Sequence, residues 1–160
     1  DPELREKSAF DVFTAMSNIP NTHLVVKLHP AEKNDMTYYK EIARKAGCIN
    51  YQIIYHIDLY LLISLSDIVI TCFSTVGAET VYFNKPLIIL DHLKQDIQGY
   101  HKEGIAYQAT DQEELKNYIL KFLNGQLSIN AENYSNYIRN FAFKIDGHVA
   151  ERIIDFIKNN

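Results

Sequence analysis

Two short stretches of this chain could do chemistry. "KLHP", Lys27 to Pro30, closes an apolar run with a lysine and a histidine two residues apart, so on a strand both project from one face. Two potential cations on one face suit a phosphate-bearing ligand. "TCFSTVGAET", Thr71 to Thr80, ends a second apolar run in hydroxyl residues, a glycine and a glutamate. With Ser74 or Thr75 as N-cap, the first helical amides, at Val76 and Gly77, would face a pyrophosphate, and Gly77 would admit it close to the backbone. Glu79, one turn in, could accept hydrogen bonds from ribose hydroxyls. The plain alternative stands beside this one: Ser74 and Thr75 cap a helix and nothing more, and His29 fixes a turn before Pro30.

Other chemistries fit less well. A Walker loop or a dinucleotide fingerprint needs glycines that are missing, and Ser74 lacks the flanking glycines of a nucleophile elbow. No histidines or carboxylates have metal-ligand spacing and Cys48 and Cys72 are isolated, so neither a metal nor another cofactor is expected. The 160 residues carry a formal net charge of −4, which argues against broad capture of nucleic acid. Hydrophobic residues at 47% and charged residues at 22% fit a folded, soluble chain. Two unpaired cysteines suit a reducing cytoplasm. The apolar runs are too short to cross a bilayer, and nothing at the N-terminus reads as a signal peptide. The polar start at Asp1-Pro2 suits a fragment of something longer.

The elements that must position these residues alternate. Helical spacing predicts helices over Leu4–Ser17, Asp35–Ala46, Leu59–Leu65, Val76–Phe83, Glu113–Leu123, Ala131–Phe143 and Gly147–Lys158. The last carries Val149, Ile153, Phe156 and Ile157 along one face. Strands are expected over His23–Leu28, Gln52–Tyr55, Ile68–Thr71, Leu87–Leu90 and Ala106–Ala109. The two uniformly apolar runs, Ile68–Thr71 and Leu87–Leu90, read as strands covered on both faces. The alternation predicts a single α/β domain over residues 1–160, a three-layer, doubly wound, Rossmann-like sheet of about five mostly parallel strands. In such a sheet ligands bind beyond the carboxyl ends of the strands. That edge gathers His29, His56-Ile57, Ser74 to Gly77 and Asp91-His92.

"KLHP", "SDIVITCFSTVGAETVYFNKPLIIL" (Ser66–Leu90) and "DGHVAERIIDFI" (Asp146–Ile157) follow one another in an order that resembles a known group. Residues 22 to 158 resemble the C-terminal, nucleotide-sugar-binding half of GT-B-fold enzymes. Nearest in kind are capsule and teichoic-acid-type transferases, including CDP-glycerol glycerophosphotransferases, and the UDP-N-acetylglucosamine 2-epimerases. The resemblance implies that His29, the one catalytic assignment, contacts donor phosphate; chemically, His29, Lys27 and the helix amides together would stabilise charge developing on the leaving nucleotide. It implies that Ser74 and Thr75, with the amides of Val76 and Gly77, hold the pyrophosphate, that Glu79 binds ribose, and that His56-Ile57 cradles the base. Lys27 and His92 join the candidate site by position.

Departures favour a transferase over an epimerase: Ser74-Thr75-Val76-Gly77 stands where epimerases have a serine and two glycines, and "DHLKQDIQGYHKEG" lacks their Arg-Pro-Glu stretch. The shared Asp146-Gly147 and Arg152-Ile153 pattern keeps the epimerase as the alternative, and a non-catalytic nucleotide-binding module is the alternative of another class. The implied partner molecules are a UDP- or CDP-activated sugar or polyol and an N-terminal acceptor domain, with membrane association of the parent enzyme. Such a half alone is expected to bind donor weakly and turn over nothing.

Overall fold

The computed structural model describes residues 1–32 and 35–159. Among them the chain forms five strands and seven α-helices in the expected alternation. Helix α1, Pro2–Ser17, starts with proline in its first turn, and the Asp1 carboxylate accepts from the amides of Glu3 and Leu4. Strands β1, Leu24–Lys27, and β2, Tyr51–Ile54, pair in parallel with Leu24 opposite Tyr51 and Lys27 opposite Ile54. Helix α2, Met36–Lys45, makes the crossover between them. Helix α3, Leu59–Leu65, leads to β3, Val69–Thr71, and α4, Val76–Tyr82, crosses to β4, Leu87–Leu90. Strand β5, Tyr107–Ala109, pairs in parallel with β4, giving the order β3-β4-β5. Helices α5, Gln112–Leu123, α6, Ala131–Phe141, and α7, Val149–Asn159, follow.

The α/β fold class is as expected. The five strands form two parallel ladders, of two and three strands, rather than a single ladder. Three-residue strands such as β3 and β5 offer few backbone groups for a second neighbour.

Burial in β4 shows both faces covered. Ile88 and Leu90 pack with Ala15 and Ile19 on the α1 side and with Leu115 and Ile119 of α5. Leu87 and Ile89 point the other way, toward Val81 of α4 and Tyr134 and Tyr137 of α6. An apolar run with no polar alternation is the pattern such a strand demands. Each fully buried side chain contributes about 1.5–3 kcal/mol, so β4 anchors this half of the fold. The third cluster joins Phe13 of α1 to Leu28 and to Tyr39, Ile42 and Ala43 of α2. Met16 of α1 touches both the β1–β2 and the β4–α5 clusters, so α1 bridges the two ladders.

The β4–β5 connection contains no helix, so its backbone must find other partners. Carboxylates supply them. Asp91, 1% exposed, accepts from the amides of Leu93 (3.1 Å) and Asp96 (2.8 Å) and from Gln108 Nε2 (2.8 Å). Asp96 accepts in turn from the amides of His101 (3.2 Å) and Lys102 (2.8 Å).

Candidate functional site

Beyond β1 the chain turns through a 3-10 segment, Pro30–Glu32. Its start is one half of a capping box, closed by a backbone turn. The His29 amide donates to Glu32 Oε2 (3.1 Å) and the Glu32 amide donates back to the His29 carbonyl (2.8 Å). Proline at the first position has no amide to satisfy. The amide of Ala31 donates to His29 Nδ1 at 3.1 Å. With Nδ1 accepting, the single proton of the neutral ring sits on Nε2. His29 is exposed, and Nε2 has no protein partner among the described residues. The imidazole therefore fixes the turn through one nitrogen and offers a donor through the other.

The neighbouring candidates close around this turn. Lys27 Nζ donates to the Leu28 carbonyl (2.7 Å) and lies 5.9 Å from the centre of the Tyr55 ring. Tyr55 donates its hydroxyl to the Pro30 carbonyl (3.1 Å), and its ring meets that of His56 edge-on at 4.4 Å. His56 is exposed and Ile57 half-buried, both just past β2. The lysine's charge is thus directed to the backbone of its own turn.

The second group lies past β3, and its amides have partners within the turn. The Val76 amide donates to Ser74 Oγ (3.2 Å), Gly77 N to the Ser74 carbonyl (3.3 Å) and Ala78 N to the Thr75 carbonyl (3.0 Å). A tight turn into a seven-residue helix satisfies its own donors first. Thr75 occupies the N-cap position but makes no side-chain capping bond, and both Thr75 and Ser74 are exposed residues. Gly77 is buried, and a Cβ there would collide with the Tyr100 ring. Its small size leaves room for that ring. Tyr100 donates its hydroxyl to the Ser74 carbonyl (3.2 Å), and Gln98 Nε2 reaches the Phe73 carbonyl (3.3 Å). The β4–β5 connection therefore holds the hydroxyl turn from outside. Burial, with the nearby Glu79 charge, pushes the Tyr100 hydroxyl above its ordinary range despite its backbone hydrogen bond, so it stays a donor. Glu79 Oε2 is buried without a hydrogen-bond partner, an acceptor in a place where acceptors cost free energy unless met.

His92 lies past β4 with a buried imidazole. Its side chain is 3% exposed; Nδ1 is 2.8 Å from the Thr110 carbonyl, and Nε2 lies 3.5 Å from Asp11 Oδ2 on α1. Burial raises the Asp11 carboxyl above its ordinary range, opposed by His92 and Lys7. Cys72 offers no nucleophile: burial pushes its thiol up, against a hydrogen bond from Ser8. Among the described residues no cluster of three or more histidines, cysteines or carboxylates could hold a metal. No helix described is long and apolar enough to cross a membrane.

Sequence reasoning missed Glu32, Tyr55, Gln98 and Tyr100. Glu32 left a signal, since His-Pro-x-Glu has capping-box spacing. Tyr100 left none, because its partner lies 26 residues away. No curated relative and no solved structure matches the chain. The model of the CDP-Glycerol:Poly(glycerophosphate) glycerophosphotransferase family matches residues 7–159, and the chain belongs to that family.

Proposed function

We propose that this chain is the donor-binding part of a teichoic-acid-type transferase that takes glycerol phosphate from a CDP-activated donor. Family membership over residues 7–159 is the observation that carries the reading. In the reaction a hydroxyl of the growing polymer attacks the phosphorus bearing glycerol. A new O–P bond forms, the bond to the bridging oxygen of the diphosphate breaks, CMP leaves with that oxygen, and the hydroxyl proton passes to a base. Negative charge grows on the departing phosphate. A positioned donor there is worth most in the transition state.

His29 supplies that donor from Nε2, and the hydroxyls of Ser74 and Thr75 contact the diphosphate. Glu79, in the first turn of α4, accepts from the ribose hydroxyls. The backbone at His56-Ile57 borders the base. Lys27 and the amides of Val76 and Gly77 serve the architecture of the two turns. The acceptor and the base belong to a second domain, and the exposed apolar side of α7, with Ile153 54% and Ile157 69% exposed, is the surface that would meet it. By itself the chain binds donor without turnover.

Calorimetry with CDP, UDP, cytidine and FMN tests the reading. Wild-type chain binds CDP and ignores FMN. Ser74→Ala with Thr75→Ala weakens CDP by about a hundredfold, as expected for two lost hydrogen bonds to charged groups. His29→Ala costs more with CDP than with cytidine. Equal losses for the two ligands, or no heat with any pyrimidine diphosphate, contradict the assignment.

A further inference from the structure

We propose that Glu32, steadied by Arg5 and Tyr39, is a positioning residue that presents His29 as an Nε2–H donor; its relevance to the reaction rests on the reading of His29 as the donor-phosphate contact. Glu32 is the hub of three elements. Its Oε2 accepts from the His29 amide (3.1 Å), while Oε1 accepts from the Tyr39 hydroxyl on α2 (2.8 Å) and from Arg5 on α1 (3.2 Å). Arg5 is itself fixed: it donates to Asp35 at 2.9 Å and lies 4.7 Å from the centre of the Tyr38 ring. Burial and the Glu32 carboxylate push the Tyr39 hydroxyl well above its ordinary range, which keeps it a donor to that carboxylate.

Magnitudes separate positioning from plain stabilisation. The side chains of Arg5 and Glu32 are 41% and 20% exposed, and an ion pair that open to water is worth only about 0.2–1 kcal/mol. Its consequence is geometric. With Glu32 in place the 3-10 turn stays closed, the Ala31 amide stays on His29 Nδ1, and the ring proton stays on Nε2. Without it the turn loses the bond to the His29 amide and the ring loses its fixed partner. A ligand that needs an Nε2–H would then meet a mixture of tautomers and orientations.

The test is imidazole nitrogen NMR on the full chain at about pH 8, where an ordinary histidine is neutral. Wild type shows His29 with its proton on Nε2. In Glu32→Ala the Nδ1–H form grows several-fold and CDP affinity falls about tenfold. Glu32→Gln, which keeps an oxygen for the His29 amide, recovers most of both. Arg5→Ala, a change at a more exposed side chain, moves the signals the same way by less, and stands in if Glu32→Ala does not fold. Unchanged His29 signals in the folded Glu32→Ala or Arg5→Ala chain overturn the proposal. Altered signals in a chain that never binds CDP uphold the positioning role and remove the donor-binding reading instead.

Discussion

At the scale of single residues, Gly77 has a packing role of its own beside the ligand role expected of it. A glycine following two hydroxyl residues invites a ligand at the backbone, yet the Tyr100 ring fills the space a side chain would take. Tyr100, 3% exposed, also donates to the Ser74 carbonyl, so the ring and its hydroxyl together brace the turn that carries Ser74 and Thr75. Gly77→Ala must move that ring or the helix, an overpacking cost of about 1–3 kcal/mol. The two substitutions Gly77→Ala and Tyr100→Ala should therefore be less than additive in urea denaturation, because the second removes what the first collides with. Strict additivity, or a Gly77→Ala chain of wild-type stability that has lost only CDP binding, would return Gly77 to the ligand.

At the scale of elements, α7 differs from the rest. It has no buried residue, and Val149, Ile153, Ile154, Phe156 and Ile157 are all about half exposed or more. Local bonds fasten its start: Arg152 makes a two-pronged contact with Asp146 (2.8 Å to each oxygen), and His148 Nδ1 sits 2.8 Å from Glu151. Deleting residues 149–160 should lower the thermal midpoint by no more than about 2 °C, since no core side chain leaves with them. A fall of more than about 5 °C in differential scanning calorimetry would mean that α7 carries part of the core. The helix also marks where sequence reading stops. Its apolar spacing announces a face to be covered but not what covers it. By contrast the unbroken apolar run Leu87–Leu90 reported burial on both sides, and Asp111 reported the start of α5, where it accepts from the amides of Glu113 and Glu114. Local signals of that kind were legible. The braces of the candidate site were not: Arg5 meets Glu32 across 27 residues and Tyr100 meets Ser74 across 26, so only the folded chain brings them together.

At the scale of the whole molecule, the β4–β5 connection ties the core to the hydroxyl turn, and its order depends on one buried carboxylate. Burial alone would raise the Asp91 carboxyl, but donors from Asp96, Gln108, Leu93 and Gln95 hold it below its ordinary range. A carboxylate with a depressed folded value stabilises the fold fully above its unfolded value, near about 3.9, and loses that contribution as pH falls through the folded value. Asp11 has the opposite sign, because burial raises its carboxyl, so the acid limb of the wild-type chain blends the two. A substitution isolates one of them. Asp91→Asn keeps the shape and mimics the protonated acid. It should cost at least about 2 kcal/mol at neutral pH, where several hydrogen bonds lose their charged acceptor. That difference from wild type should shrink as the pH is lowered from about 5 to about 2, where wild-type Asp91 gains its own proton. Chemical denaturation across that range measures it directly. A stability gap that stays constant through the acid range would show that the fold depends on the shape of residue 91 and not on its charge.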